Sequence, residues 1–172
     1  MTHIATMEEY SADNWIIQRR SLLQFARRCG GLRISRELLR PLATLSTEQL
    51  DQEGASLLYA YVRTEQGPQI AGFCLAVGFG HELCMVVIRP LYRGRGLGTR
   101  LLQEQLSRLE YLVCTVDHDH TAAKKMCYHA GFTATGITSR PGGKTVIVYE
   151  GKLDQAERPP FKEGALSWLK LS

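Results

Sequence analysis

The chain has 172 residues, of which 44% are hydrophobic and 22% are charged, close to the average of a soluble globular protein. Its apolar stretches are short, and its first residues lack a basic flank followed by an apolar region, so the sequence predicts neither a membrane partner nor a secretory signal. The net charge of +4 favours an anionic ligand but is too small to indicate nucleic acid, which we do not expect as a partner.

Five cysteines, at positions 29, 74, 84, 114 and 127, include no Cys-x-x-Cys pair. Their number is odd, and three of them lie inside apolar runs, where a thiol behaves as a small hydrophobic group. A chain of this length can bury a core without disulfides. We therefore expect reduced thiols and a cytoplasmic location.

The first third of the chain predicts one strand and three helices. Residues 3–7 form the strand, and Ser11 is the expected N-cap of an amphipathic helix that ends at the glycines of positions 30 and 31. Ser35 and Ser46 precede two shorter helical stretches. No repeat or linker divides this region from the rest, so we expect residues 1–172 to form a single domain.

From residue 56 onward, alternating or continuous apolar runs predict strands. An amphipathic helix follows the third of these strands, and a second helix follows the fourth. The predicted strands cover residues 56–63, 69–77, 82–88, 111–116, 132–138 and 145–153, and the helices cover residues 98–109 and 121–129. This order predicts an α/β fold, a mixed sheet with helices on its faces.

A glycine-rich loop between the third strand and the first of these helices is the most informative segment. It reads Arg93-Gly94-Arg95-Gly96-Leu97-Gly98-Thr99. Glycines let backbone N–H groups approach a ligand, and the helix N-terminus adds unpaired donors, so the loop suits a pyrophosphate. The dinucleotide fingerprint fails at Thr99, and Gly143-Lys144-Thr145 fails the Walker A pattern because Thr138 replaces its first glycine.

Three features around this loop occur together. The loop matches Arg/Gln-x-x-Gly-x-Gly/Ala, and Pro90-Leu91-Tyr92 precedes it. A later helix, with Tyr128 followed by Gly131-Phe132, resembles the motif Asn-x-x-Ala-x-x-x-Tyr-x-x-x-Gly-Phe. Over residues 56–150 the chain therefore resembles the GNAT superfamily of acyl-CoA-dependent N-acyltransferases. The resemblance implies a mixed, mostly antiparallel central sheet of about six to seven strands with helices on both faces. It also implies acetyl-CoA as the acyl donor and a primary amine of a small molecule or protein as the acceptor.

The resemblance assigns the contacts with acetyl-CoA to two segments and one further residue. The backbone of Val86, Val87 and Ile88 would pair with the pantetheine arm, and the Val86 N–H would face the thioester carbonyl. The pyrophosphate would be held by Arg93, Gly94, Arg95, Gly96, Leu97, Gly98 and Thr99. Thr121 stands where the family commonly has asparagine, and its hydroxyl could bond the pantetheine.

Direct transfer needs a base that takes the proton of the amine and an acid that protonates the departing thiolate. The resemblance gives the acid role to Tyr128, because a phenol pKa of about 10 lies slightly above that of a thiol. Glu82 is the predicted base, since a strand would place it on the same face as Val86. His118 and His120 are the rival bases, and we expect their Asp-His-Asp-His run to bind no metal, because adjacent residues rarely converge on one ion.

The same resemblance divides the domain into three parts. Residues 1–55 form the acceptor side, residues 56–153 the acyl-CoA-binding core, and residues 154–172 a tail. A homodimer is compatible with these features. The alternative to an enzyme is an acyl-CoA sensor or regulatory module with weak turnover, and the acceptor is left open among polyamines, aminoglycosides, amino acids and protein amines.

Overall fold

The computed structural model describes residues 2–6 and 12–154. This part of the chain contains seven strands and five α-helices, in the order that the sequence predicts. They are β1 Thr2–Thr6, α1 Ala12–Gly30, α2 Arg36–Ala43, α3 Thr47–Leu50, β2 Ser56–Thr64, β3 Gly67–Val77, β4 Leu83–Ile88, α4 Leu97–Leu109, β5 Tyr111–Asp117, α5 Thr121–His129, β6 Thr133–Ser139 and β7 Thr145–Lys152. The expected α/β fold is confirmed, whereas Met7, the predicted N-cap Ser11 and the tail from residue 155 lie outside the described residues.

The strands form two antiparallel sheets that lie side by side. The first has the order β1-β2-β3-β4 and the second the order β5-β7-β6. β4 and β5 contact each other, yet they belong to different sheets. The expected central sheet is therefore divided in two between β4 and β5.

Helices cover both faces of the sheets, as predicted. α4 and α5 pack on one face, where Leu101, Leu102 and Cys127 are fully buried. α1, α2 and α3 pack on the other face through a second cluster that includes Trp15 and Phe73. Two apolar cores with the first sheet between them hold the domain together by removing these side chains from water.

The short N-terminal helices begin where the sequence predicts, because serines cap them. The Ser35 hydroxyl accepts a hydrogen bond from the Leu38 N–H at 3.3 Å, and Ser46 forms a reciprocal capping box with Gln49. The indole N–H of Trp15 donates to the Leu45 carbonyl at 2.7 Å and so fixes α1 against the connection between α2 and α3.

Most boundaries agree with the prediction to within one or two residues, and two of the differences have a clear physical meaning. β3 begins at Gly67, so Gly67 and Pro68 belong to the strand instead of the preceding turn. Pro68 is tolerated there because β4 pairs only with the later part of β3, from Gly72 onward, which leaves that side of Pro68 without a neighbouring strand among the described residues. β4 begins at Leu83, so Glu82 lies before the strand and not in it.

No helix within residues 2–6 and 12–154 is both long enough and apolar enough to cross a membrane.

Gln105 is a fully buried polar residue that ties α4 to the first sheet. Its Nε2 donates to the Ser56 carbonyl at 2.8 Å and to the Cys74 carbonyl at 3.4 Å. Buried carbonyls that lose their donor are costly, so this side chain orients the helix that follows the glycine loop.

We predict that Gln105→Ala lowers the free energy of unfolding by about 2–4 kcal/mol, because it removes two donors and leaves a cavity. Gln103→Ala, at an exposed position of the same helix, should change it by less than about 0.5 kcal/mol. Urea denaturation of both variants measures the difference. Equal effects would show that the buried amide does not anchor α4.

Candidate active site

A cavity of about 610 Å³ lies where the glycine loop, the end of β4, the start of α5 and the end of α1 meet. The loop contributes most of one wall, and β4 contributes Val86, Val87 and Ile88. Cationic and titratable side chains complete it, namely Arg33, Arg93, His120, Lys125 and His129. The cavity is therefore bordered by positive charge, as an anionic ligand requires.

The glycine loop presents open backbone to this cavity. Gly94 and Gly96 have φ values of +73° and +75°, and a Cβ on either would meet no described atom within 4 Å. Gly96 is the N-cap of α4, so the N–H groups of Leu97, Gly98 and Thr99 in the first helical turn are the helix's unpaired donors. All three residues line the cavity, which makes this end of α4 suited to binding an anion.

Gly98 is needed for helix packing. A Cβ at this position would lie 2.5 Å from the Met126 sulfur on α5. The glycine therefore lets α4 and α5 approach each other beside the loop.

Six of the seven predicted loop residues line the cavity: Arg93, Gly94, Gly96, Leu97, Gly98 and Thr99. The exception is Arg95, whose guanidinium stacks over the Tyr92 ring at 5.9 Å. Thr121, the predicted second anchor, also lies outside the set of described residues that line the cavity.

Arg93 connects the loop to two other elements. Its Nε donates to the Ile88 carbonyl at 3.1 Å, and its guanidinium also donates to the Cys29 carbonyl at the end of α1. Arg93 therefore holds α1 and β4 against the loop, a structural role that the sequence does not indicate.

One edge of β4 is open toward the cavity. The Arg89 N–H donates to the Ala71 carbonyl of β3 at 2.8 Å, and backbone groups alternate in direction along a strand. The N–H groups of Val86 and Ile88 therefore point away from β3, toward the gap between β4 and β5. Because β4 and β5 lie in separate sheets, these donors are available to a ligand.

Asp117, at the end of β5, is the centre of a charge cluster at the edge of the cavity. Its carboxylate is only 6% exposed and lies 2.5 Å from Arg140, 2.9 Å from Lys144 and 3.9 Å from Arg33. Arg33 also bonds Asp119 at 2.8 Å, which holds the pKa of that carboxyl below its usual value. The cluster joins the turn after α1, the end of β5 and the β6–β7 hairpin, which are far apart in the sequence.

His120 lines the cavity next to this charge cluster. It is the N-cap residue of α5, and burial, followed by the nearby Arg33 charge, lowers its pKa from the ordinary 6.5, while Asp117 and Asp119 oppose this shift. The imidazole is therefore mostly neutral at pH 7 and can accept a proton. His118, by contrast, is exposed and lies outside the described cavity lining.

Residues 54–134 match the model of a family described as the acetyltransferase (GNAT) domain. Over these residues the chain is similar to a GNAT acetyltransferase domain. Its fold is similar to a GNAT phosphinothricin acetyltransferase from Sinorhizobium meliloti in complex with acetyl-CoA, at 17% identity, a TM-score of 0.60 and 96% coverage of both chains. It is also similar to the ribosomal-protein-S18-alanine N-acetyltransferase of Escherichia coli, at 17% identity and a TM-score of 0.58, with 94% of this chain and all of that one covered. No curated protein sequence matches the chain.

Glu82 lies outside the set of described residues that line the cavity. It lies four residues before Val86, about 13 Å away along an extended strand, in the exposed bend that precedes β4. The Glu82 N–H bonds the Val77 carbonyl and its side chain lies beside Gly78, so a turn and not the strand decides its direction.

Tyr128 also lies outside the set of described residues that line the cavity. Its side chain is 74% exposed, and its ring makes an edge contact with His129 at 5.6 Å. When the motif is aligned on Gly131 and Phe132, its tyrosine position falls on Cys127, which is fully buried, and not on Tyr128. The same alignment puts His120, and not Thr121, at the asparagine position. The sequence therefore already contained a signal for His120.

We predict that the pKa of His120 lies below 6.5 in the folded protein and rises in Arg33→Gln. The variant removes a positive charge that opposes protonation and frees Asp117 and Asp119 to stabilise the imidazolium. Histidine NMR titration measures the shift, with exposed Arg40→Gln on α2 as the control. An unchanged pKa in Arg33→Gln would mean that the charge cluster does not act on His120.

Proposed function

We propose that the protein transfers the acetyl group of acetyl-CoA to a primary amine by direct attack. One observation supports this most strongly: the loop at the start of α4 and the open edge of β4 line the same cavity. The first suits a pyrophosphate and the second suits the amide groups of a pantetheine arm. A ligand that carries both groups would fill the two sites at once.

The charges that line the cavity suit the phosphates of acetyl-CoA. The positive end of α4 and the side chain of Lys125 would balance the phosphate charges. The donor supplies an acyl group already activated as a thioester. The Val86 N–H, directed into the gap, would donate to the thioester carbonyl and stabilise the negative charge that develops there.

His120 is the base that the geometry favours over the predicted Glu82. An alkyl amine has a pKa near 10 and must lose a proton before or during attack. His120 lines the cavity and is mostly neutral at pH 7, whereas Glu82 is exposed before β4. Once protonated, the imidazolium is a stronger acid than a thiol, so His120 could also return the proton to the departing thiolate, in the role first assigned to Tyr128.

A sensor that binds acyl-CoA and turns it over weakly is the second candidate. The residue at the motif's tyrosine position supports it, because Cys127 is fully buried there and carries no phenol. Turnover with a panel of polyamines, aminoglycosides, amino acids and peptide N-termini separates the two candidates and identifies the acceptor class.

We predict that acetyl-CoA at about a hundredfold excess over Kd raises the Tm by the equivalent of about 2.7 kcal/mol, and that ATP and NAD raise it much less. Gly96→Val should abolish the shift, since its side chain would fill the space in front of the α4 N-terminus. Gly142→Val is the matched control, because Gly142 has φ +99°, a Cβ there also meets no described atom within 4 Å, and it lies in the β6–β7 turn. Loss of the shift in both variants, or an equal shift with ATP, would contradict the assignment.

For the chemical step we predict that His120→Gln lowers kcat by about 10²-fold or more, the range of a positioned base, with partial recovery at high pH. Glu82→Gln and Tyr128→Phe should each stay within about threefold of the parent, because neither side chain lines the cavity. Steady-state kinetics with the best acceptor measures kcat for the three variants and the parent. A large loss in Glu82→Gln or Tyr128→Phe, with His120→Gln unaffected, would restore the roles predicted from the sequence.

A further inference from the structure

Four of the five cysteines gather on one side of the domain, in the core under α4 and α5. They come from β3, β4, β5 and α5, and they are Cys74, Cys84, Cys114 and Cys127. The sulfur atoms of Cys84 and Cys114 are 3.2 Å apart. These two residues belong to different sheets and face each other across the gap between β4 and β5. Cys29 lies in the other core, on α1.

The two thiols differ in their surroundings. Hydrogen bonds from Cys114 and Cys74 lower the pKa of Cys84 well below its usual value, although burial opposes this shift. The pKa of Cys114 is raised, first by its hydrogen bond with Cys127 and then by that with Cys84. Cys84 is also only partly buried, whereas Cys114 is buried. The lowered pKa and the partial exposure favour Cys84 as the attacking residue, and Cys114, with its sulfur 3.2 Å away, is placed to react second.

We propose that Cys84 and Cys114 are a redox modification site, at which a peroxide forms a reversible disulfide that links β4 to β5. The Cys84 thiolate attacks one oxygen of hydrogen peroxide and becomes a sulfenic acid, while the O–O bond breaks and the second oxygen leaves as hydroxide. The Cys114 sulfur then attacks the Cys84 sulfur, and the sulfenic oxygen leaves as water. Two thiols and one peroxide thus give one disulfide and two waters.

The bond would alter the gap in which the proposed function places the acyl donor. Cys84 is two residues before Val86 and faces the same side of β4. Bond formation brings the two sulfurs from 3.2 Å to about 2.05 Å and fixes the separation of the strands next to the Val86 N–H. We expect oxidised protein to bind acetyl-CoA more weakly. This consequence rests on the proposed function, whereas formation of the disulfide does not.

The test treats the folded full-length protein with hydrogen peroxide, denatures it in an alkylating reagent and counts thiols by mass spectrometry. Wild type should fall from five thiols to three, peptide mapping should find Cys84 joined to Cys114, and dithiothreitol should restore all five. Cys29→Ala, the matched control, should fall from four thiols to two. Cys84→Ala should keep its four thiols over the time in which wild type loses two. Mapping in wild type needs no variant, so it decides the proposal even if Cys84→Ala fails to fold.

Three results would overturn the proposal: five thiols after treatment, a linkage of Cys114 to Cys127 or of Cys74 to Cys84, or sulfinic acid at Cys84 without a disulfide. The Tm shift with acetyl-CoA, measured on reduced and oxidised protein, tests the consequence separately. A shift present in reduced protein and at least halved in oxidised protein is expected. An absent shift in reduced protein would contradict the proposed function, and the peptide map would still decide the disulfide.

Discussion

The open edge of β4 is the constraint on which the candidate site depends. β4 pairs with β3 on one side, and across the described residues its other side faces β5 without a shared ladder. Backbone donors at Val86 and Ile88 therefore remain available in a protected gap, where a sheet would normally have used them. A short turn, Pro90–Tyr92, and the glycine loop connect β4 to α4, so the open edge of β4 and the unpaired end of α4 line the same cavity.

Interactions between distant parts of the chain keep this gap in place. Arg93 holds the end of α1 against the loop, and Gln105 fixes α4 on the first sheet. On the other side of the cavity, Asp117 forms ion pairs with Arg33, which follows α1, and with Arg140 and Lys144 of the β6–β7 hairpin. The same charges act on His120, so the contacts that fix the cavity also set the protonation of the side chain best placed for proton transfer.

Features that depend on local sequence were predictable, and features that depend on tertiary contact were not. The glycine loop, the caps at Ser35 and Ser46 and the two core faces follow from short-range patterns, and the structure confirms them. The position of Glu82 depends on a turn whose hydrogen bond closes on Val77, and strand periodicity could not show where β4 starts. The contact of Arg33 with Asp119 spans 86 residues and has no signal in the sequence.

The most direct test of the account is amide hydrogen exchange of β4, residue by residue, with and without acetyl-CoA. In the free protein the Val86 and Ile88 amides should exchange faster than those of Val87 and Arg89, which face β3. Acetyl-CoA should slow exchange at Val86, Ile88 and the first turn of α4, and leave Val87 and Arg89 nearly unchanged. Protection of Val86 and Ile88 in the free protein, or none gained with acetyl-CoA, would contradict an acyl-donor site in this gap.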